Sequence, residues 1–198
     1  MFIERKFVRF LNNKSNILLD APHAQPPGRE FYTDEIAEKV ARENELNCII
    51  SKVSRKKADL NRSVDYNLPY QQEARTEYIE AVKKLYESRK HKDRPYLHLT
   101  IHGMKDDYEA DIEIGTVFDR ICSPQIRRQF MEAFRENLLS VGLNPVIKVN
   151  NMFYGDPSLT ELKIDNNYNI IQIEFSKTLR QNFRKEIVNA LSETLKLI

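Results

Sequence analysis

His23, His102 and Glu174 each follow or end a short apolar run. Ile17-Leu18-Leu19 leads to Ala21-Pro22-His23, the alternating Leu97, Leu99 and Ile101 lead to His102, and Ile170 to Ile173 lead to Glu174. Two imidazoles and a carboxylate suit a divalent metal once a further carboxylate joins them, because a hydrolytic zinc ion takes three His or acidic ligands and leaves one position for water. If the runs are strands of an open sheet, the three residues fall beyond the carboxyl ends, where ligands collect in such sheets. His98 shares a strand with His102 but lies about 13 Å from it at a rise near 3.3 Å per residue. It cannot share an ion with His102, and it belongs to the core or to the surroundings of the site.

Other chemistries are excluded by composition. The five glycines, Gly28, Gly103, Gly115, Gly142 and Gly155, never lie close enough to build a phosphate-cradling loop, so Walker A and dinucleotide fingerprints are absent. Cys48 and Cys122 stand alone, which rules out a CxxC redox pair and a thiolate zinc cluster and reads as two buried thiols in a reducing compartment.

The elements that must position these residues alternate between strands and helices. Residues 1–10 alternate apolar and charged side chains as an edge strand does, and residues 16–20 form a strand running into a loop at Pro26-Pro27-Gly28. A helix is expected from Thr33, capped by its hydroxyl, with Asp34 and Glu35 in the favoured first turn. A buried strand at 46–53 precedes a helix over 70–89, whose Ala74, Tyr78, Ala81, Val82 and Leu85 recur at helical spacing. Strands are expected at 96–102, 111–117, 145–149 and 170–175. Ser123-Pro124 opens a helix reaching Val141, and Leu179, Phe183, Ile187, Leu191 and Leu195 define one closing helix. Residues 150–169 have little periodicity and read as a long, functional excursion.

This order implies an α/β layered fold in one domain, since 198 residues slightly exceed a typical domain of about 150. No apolar run approaches the roughly 20 residues needed to cross a bilayer. The first ten residues lack the h-region of a secretory signal, and a cytoplasmic location is expected.

Several of these segments together resemble the N-formylglutamate amidohydrolases: Pro22-His23-Ala24, Arg55-Lys56-Lys57-Ala58-Asp59-Leu60-Asn61-Arg62, His102-Gly103, Ile114-Gly115-Thr116 and Gln172-Ile173-Glu174 occur in that family's order. The Asp-Leu-Asn-Arg box is also similar to one in aspartoacylase and, more distantly, to the Asn-Arg pair of zinc carboxypeptidases. The resemblance runs from about residue 16 to 185. It implies a three-layer α/β/α fold with a central mixed sheet, zinc-carboxypeptidase-like (phosphorylase/hydrolase-like), and hydrolysis of an amide bond with one Zn(2+) per chain.

On the same resemblance, His23 and His102 match the histidine ligands, and Glu30 matches the acidic one, with Asp34 as the alternative. Glu174 matches the catalytic glutamate, which takes a proton from water and returns it to the leaving amine. Asn61 and Arg62 resemble a pair that grips a substrate carboxylate, and Arg55 sits where relatives stabilise the oxyanion. Gln172 shares the strand face of Glu174 and fits a pocket wall. Tyr154 is a candidate substrate contact and Arg180 a second anionic anchor. Where relatives carry a glycine pair, this chain has Phe153-Tyr154-Gly155-Asp156, in the region that selects the acyl group.

The implied partner is a small molecule or short peptide bearing a carboxylate. The alternative is a non-catalytic module on the same fold, holding an anionic polymer through Lys52 to Lys57 and Arg89-Lys90-His91-Lys92. A formal charge of only +2, from 31 basic and 29 acidic residues, argues against nucleic acid as a partner.

Overall fold

A computed structural model describes residues 1–198. Its elements are β1 (Ile3–Glu4), β2 (Val8–Leu11), β3 (Ile17–Ala21), α1 (Thr33–Glu43), β4 (Asn47–Ser51), α2 (Gln71–Glu87), β5 (Tyr96–Gly103), β6 (Ile112–Gly115), α3 (Pro124–Ser140), β7 (Ile147–Val149), a 3-10 turn (Pro157–Leu162), β8 (Tyr168–Phe175), α4 (Lys177–Asn182) and α5 (Arg184–Lys196). The strands form one mixed sheet in the order β1-β2-β4-β3-β5-β8-β6-β7. Its centre is parallel, with β4, β3, β5 and β8 side by side, and antiparallel pairings join β2 to β4 and β6 to β8.

Alternation along the central strands divides the core in two. Leu97, Leu99 and Ile101 of β5, with Ile171, Ile173 and Phe175 of β8, point to one face and pack with α1, α3 and α5 in a cluster of 30 buried residues. Tyr96, Tyr168 and Ile170 point to the other face and join α2 and the 3-10 turn in a cluster of 21. The result is the expected α/β/α sandwich, with its central strands buried on both faces. Because side chains alternate, His102, Gln172 and Glu174 all emerge on the α2 face.

Three local expectations differ from the structure. The amino-terminal run is not one edge strand: β1 and β2 pair antiparallel with each other around a bend at residues 5–7. Glu77 of α2 accepts the amides of Phe7 and Val8 at 2.7 and 3.0 Å, and this long-range partner bends the chain where local alternation would keep it straight. Thr33 is the first residue of α1 and not its cap; its hydroxyl is buried and donates to the Glu30 carbonyl at 2.8 Å. The closing helix is broken at Phe183 into α4 and α5, and Ser176 caps the first of them by accepting the amide of Leu179.

Candidate functional site

The loop after β3 carries the first two candidate ligands. The amide of Glu30 donates to the carbonyl of His23 at 2.9 Å, which closes the intervening loop and sets the two side chains together. Gly28 makes this closure possible, with a φ of +88° that L side chains rarely adopt. The aliphatic stem of Arg55 packs where a Cβ at Gly28 would lie. His102, near the end of β5, pairs in register with Glu174 on β8.

The side chains converge. His23 Nδ1 lies 2.8 Å from Glu30 Oε1, His102 Nδ1 lies 3.2 Å from Glu30 Oε2, and the two imidazole rings meet edge to face with centroids 4.8 Å apart. One donor atom from each of His23, Glu30 and His102 lies within 4.8 Å of the others. The donor set of two imidazoles and a carboxylate fits a divalent ion such as zinc. His102 Nε2 is buried without a protein hydrogen-bond partner. Asp34 stands outside the cluster, with both its oxygens 2.9 Å from Arg29 Nη2. Of the two acids considered, Glu30 is the one the fold brings to the histidines.

Electrostatics follow from packing several ionisable groups out of water. Burial alone disfavours the charged form of His23, but Glu30 and Asp59 outweigh it and raise its pKa to about 9. Burial likewise pushes the Glu30 carboxyl up, and the two imidazoles overcome this and hold it well below the usual range. Glu174 behaves oppositely: its burial dominates, Glu30 adds repulsion, and its pKa rises to about 7. Gln172 Nε2 donates to Glu174 Oε1 at 2.9 Å, and Gln172 Oε1 accepts the amide of Asp156 at 3.2 Å.

Asp59, the first residue of the Asp-Leu-Asn-Arg box, packs behind the His23 ring. Its Oδ1 lies 2.8 Å from His23 Nε2, and Arg55 Nη2 reaches its Oδ2 at 3.2 Å. A carboxylate behind a metal-ligating imidazole fixes the tautomer and the ring orientation. Arg55 also donates to Glu30 Oε1 at 2.8 Å, so its guanidinium sits between the two acids at the edge of the site. That turns Arg55 inward, and Lys52 pairs with Glu4 at 2.8 Å, so the basic run 52–57 is not a continuous free surface.

A cleft of about 370 Å³ opens over these groups, lined by His23, Glu30, Arg55, Asn61, Arg62, His102, Tyr154, Gln172 and Glu174 among others. Phe153 of the Phe153-Tyr154-Gly155-Asp156 segment is on its wall, as are Lys105, Tyr108 and Met152, which have no signature in the sequence. The 150–156 segment forms one wall. Buried Glu113 accepts the amide of Phe153 at 2.8 Å, and Val117 donates to the Tyr154 carbonyl at 2.7 Å. Val117, Phe118 and Asp119 all have positive φ, an unfavourable conformation for non-glycine residues, and this turn presents Phe118 to stack on Tyr154 with centroids 5.2 Å apart.

Arg180 is not part of the cleft. Its guanidinium is buried outside the cleft lining, and three of its N–H groups donate to the carbonyls of Phe175, Phe31 and Met104. The expected second anchor is a brace between α4, the β5 end and the loop before α1. His98 is also internal: its Nδ1 bonds the Tyr168 hydroxyl at 2.9 Å and its Nε2 faces Asp20. Cys48 and Cys122 are free, buried thiols. No helix is long and apolar enough to cross a membrane.

No family model matches the chain, and no curated protein sequence does. Solved structures do resemble it. N-formylglutamate amidohydrolase from Ralstonia eutropha JMP134 superposes with a TM-score of 0.69 at 15% identity, covering 92% of this chain and 94% of that one. A bacteriophage poly-gamma-glutamate hydrolase gives 0.56 at 14% identity, covering 96% and 88%. A metallo-carboxypeptidase from Burkholderia cenocepacia gives 0.55 at 10% identity, covering 96% of this chain and 59% of that one. At such identities the likeness establishes the fold.

Proposed function

We propose that this protein is a metal-dependent amide hydrolase, using one zinc ion per chain, that acts on an N-acyl amino acid or short peptide bearing a carboxylate. The observation that carries this reading is the meeting of His23, Glu30 and His102 beside a buried carboxylate, Glu174, in a single cleft. The names of the structural neighbours, an amidohydrolase, a poly-gamma-glutamate hydrolase and a metallo-carboxypeptidase, agree in reaction class.

His23, Glu30 and His102 would hold the ion, with Asp59 orienting the His23 ring. When bound, the ion supplies Lewis-acid polarisation of the amide carbonyl and acidification of water. Glu174 accepts a proton from the attacking water and delivers it to the departing nitrogen. Its environment suits the task, because a base whose pKa lies near the working pH can both take and return a proton. Gln172 fixes which Glu174 oxygen is free by donating to the other. Arg55, at the edge of the site, faces the charge that develops on the carbonyl oxygen, and Asn61 with Arg62 receives the substrate carboxylate. Tyr154 and its neighbours on the 150–156 wall contact the acyl side.

Release of free amine from a panel of N-formyl and N-acetyl amino acids and short γ-linked peptides tests the reading, with Glu174→Gln as the control. The variant should keep its metal and lose about 10²- to 10⁴-fold in kcat, the usual contribution of a positioned acid–base group. Equal turnover by a metal-loaded Glu174→Gln protein would remove Glu174 from the mechanism.

A further inference from the structure

Beyond the histidines, the cleft is lined by Arg55, Arg62 and Lys105, and both arginines are already engaged by carboxylates of the protein. Arg55 lies between Glu30 and Asp59. Arg62 Nη1 is ion-paired to Asp156 Oδ2 from the opposite wall, 94 residues along the chain. Lys105 makes no ion pair. The group expected to receive the carboxylate of a substrate therefore holds one in the free protein.

Asp156 is built for that position. Its Oδ1 accepts the amide of Ser158 at 2.9 Å and caps the 3-10 turn, which fixes the side chain and leaves Oδ2 for Arg62. Its own amide donates to Gln172, the residue that touches Glu174. The Asp156 side chain is 10% exposed, whereas that of Arg62 is 45% exposed, so the arginine can be approached from solvent while the aspartate is anchored. A carboxylate pairs with a guanidinium through the same charge-assisted hydrogen bonds whether it belongs to the protein or to a ligand. The two compete for the charge of one guanidinium.

We propose that Asp156 is a built-in competitor for the substrate carboxylate at Arg62, and thus a specificity-determining residue of the cleft. This rests on the reading that Arg62 is the carboxylate receptor. Asp156 takes only Nη1 of Arg62, so a substrate carboxylate can reach the remaining N–H donors but meets a guanidinium whose charge is already compensated, which disfavours weak or misplaced anions and favours a ligand with further contacts in the cleft. Removing the charge of Asp156 opens the receptor to simple carboxylates.

The test is binding of succinate, a non-hydrolysable carboxylate, measured by isothermal titration calorimetry at low salt. Wild type is compared with Asp156→Asn and Asp156→Ser, both of which keep an oxygen to cap the turn, and with the double variant Asp156→Asn/Arg62→Gln. An exposed ion pair of this kind corresponds to a modest competition, so succinate should bind about two- to fivefold more tightly to the single variants. The gain should vanish in the double variant. Unchanged affinity, no binding to the single variants, or a gain that survives loss of Arg62 would each overturn the proposal. The readout involves no turnover, so a failure of the hydrolase reading in the amine-release assay leaves these isotherms separately interpretable.

Discussion

Replacing Asp59 by Asn tests how the site prepares His23 for a metal. Asp59 Oδ1 lies 2.8 Å from His23 Nε2 and also accepts the amide of Asn61 at 2.9 Å, while Oδ2 faces Arg55. The main chain of Asp59 is held independently by Gln71, whose side chain contacts both its amide and its carbonyl. The substitution therefore leaves the loop in place. Asparagine has one carbonyl oxygen, which can still serve His23 and Asn61, and its NH₂ group must then face the Arg55 guanidinium, donor against donor. If it flips to satisfy Arg55, the imidazole loses its acceptor. In either orientation the carboxylate charge behind the ring is gone. Loss of such a partner typically weakens metal binding about 10- to 100-fold, which is about 1.4–2.7 kcal/mol. Competition with a chromophoric chelator for zinc reads this directly, with circular dichroism to confirm that the variant is folded. A folded Asp59→Asn protein that holds zinc as tightly as wild type would refute the role assigned to Asp59.

Other substitutions probe the supports of the cleft. Arg180→Met leaves the carbonyls of Phe31 and Met104 without this donor, and should destabilise the fold by about 2–4 kcal/mol in chemical denaturation; wild-type stability would contradict its role as a brace. Gly115→Ala introduces a Cβ that collides with the main chain of Tyr154 and Gly155, and should cost about 1–3 kcal/mol while displacing the 150–156 wall; an unchanged denaturation midpoint would show that the wall yields freely. Asp20 is buried, which alone would raise its pKa, but His98 and the Tyr78 hydroxyl outweigh burial and hold it below the ordinary value. A carboxyl depressed in the folded state contributes stability that is present above the unfolded pKa of about 4 and is lost as pH falls through the folded value. Asp20→Asn should accordingly be less stable than wild type at neutral pH, with the gap narrowing in acid; a gap independent of pH would contradict this.

Strand alternation made part of the site legible, whereas His23 was placed by the end of an apolar run and Glu30, Arg55, Asn61 and Arg62 by the resemblance of short loop motifs. Alternation in β8 assigns Gln172 and Glu174 to one face, and alternation in β5 sets His102 opposite Leu97, Leu99 and Ile101, because the strand period is 2; that the two strands lie side by side with His102 in register with Glu174 is given by the fold. The layers followed from the same patterns, since Leu97, Leu99, Ile101 and the stripe of α2 each declare a buried side. What escaped depends on residues distant in sequence. The contact of Asp59 with His23 spans 36 residues and the pairing of Arg62 with Asp156 spans 94, and neither has a local signature. Arg180 resembles any solvated cation in sequence; only the fold surrounds it with the carbonyls of three separate segments. The bend between β1 and β2 is likewise imposed from outside, by Glu77, and Glu113 pins the cleft wall from a strand whose alternation marks it only as one more polar residue.

The claim on which the account turns is that His23, Glu30 and His102 form a metal site. Metal content by plasma mass spectrometry, on wild type and on His23→Ala and His102→Ala supplied with zinc and then gel-filtered, addresses it without assuming a substrate. About one zinc per chain in wild type, and loss of zinc from both folded variants, is the predicted result. A folded wild-type protein that retains no zinc, or variants that retain it in full, would contradict the account.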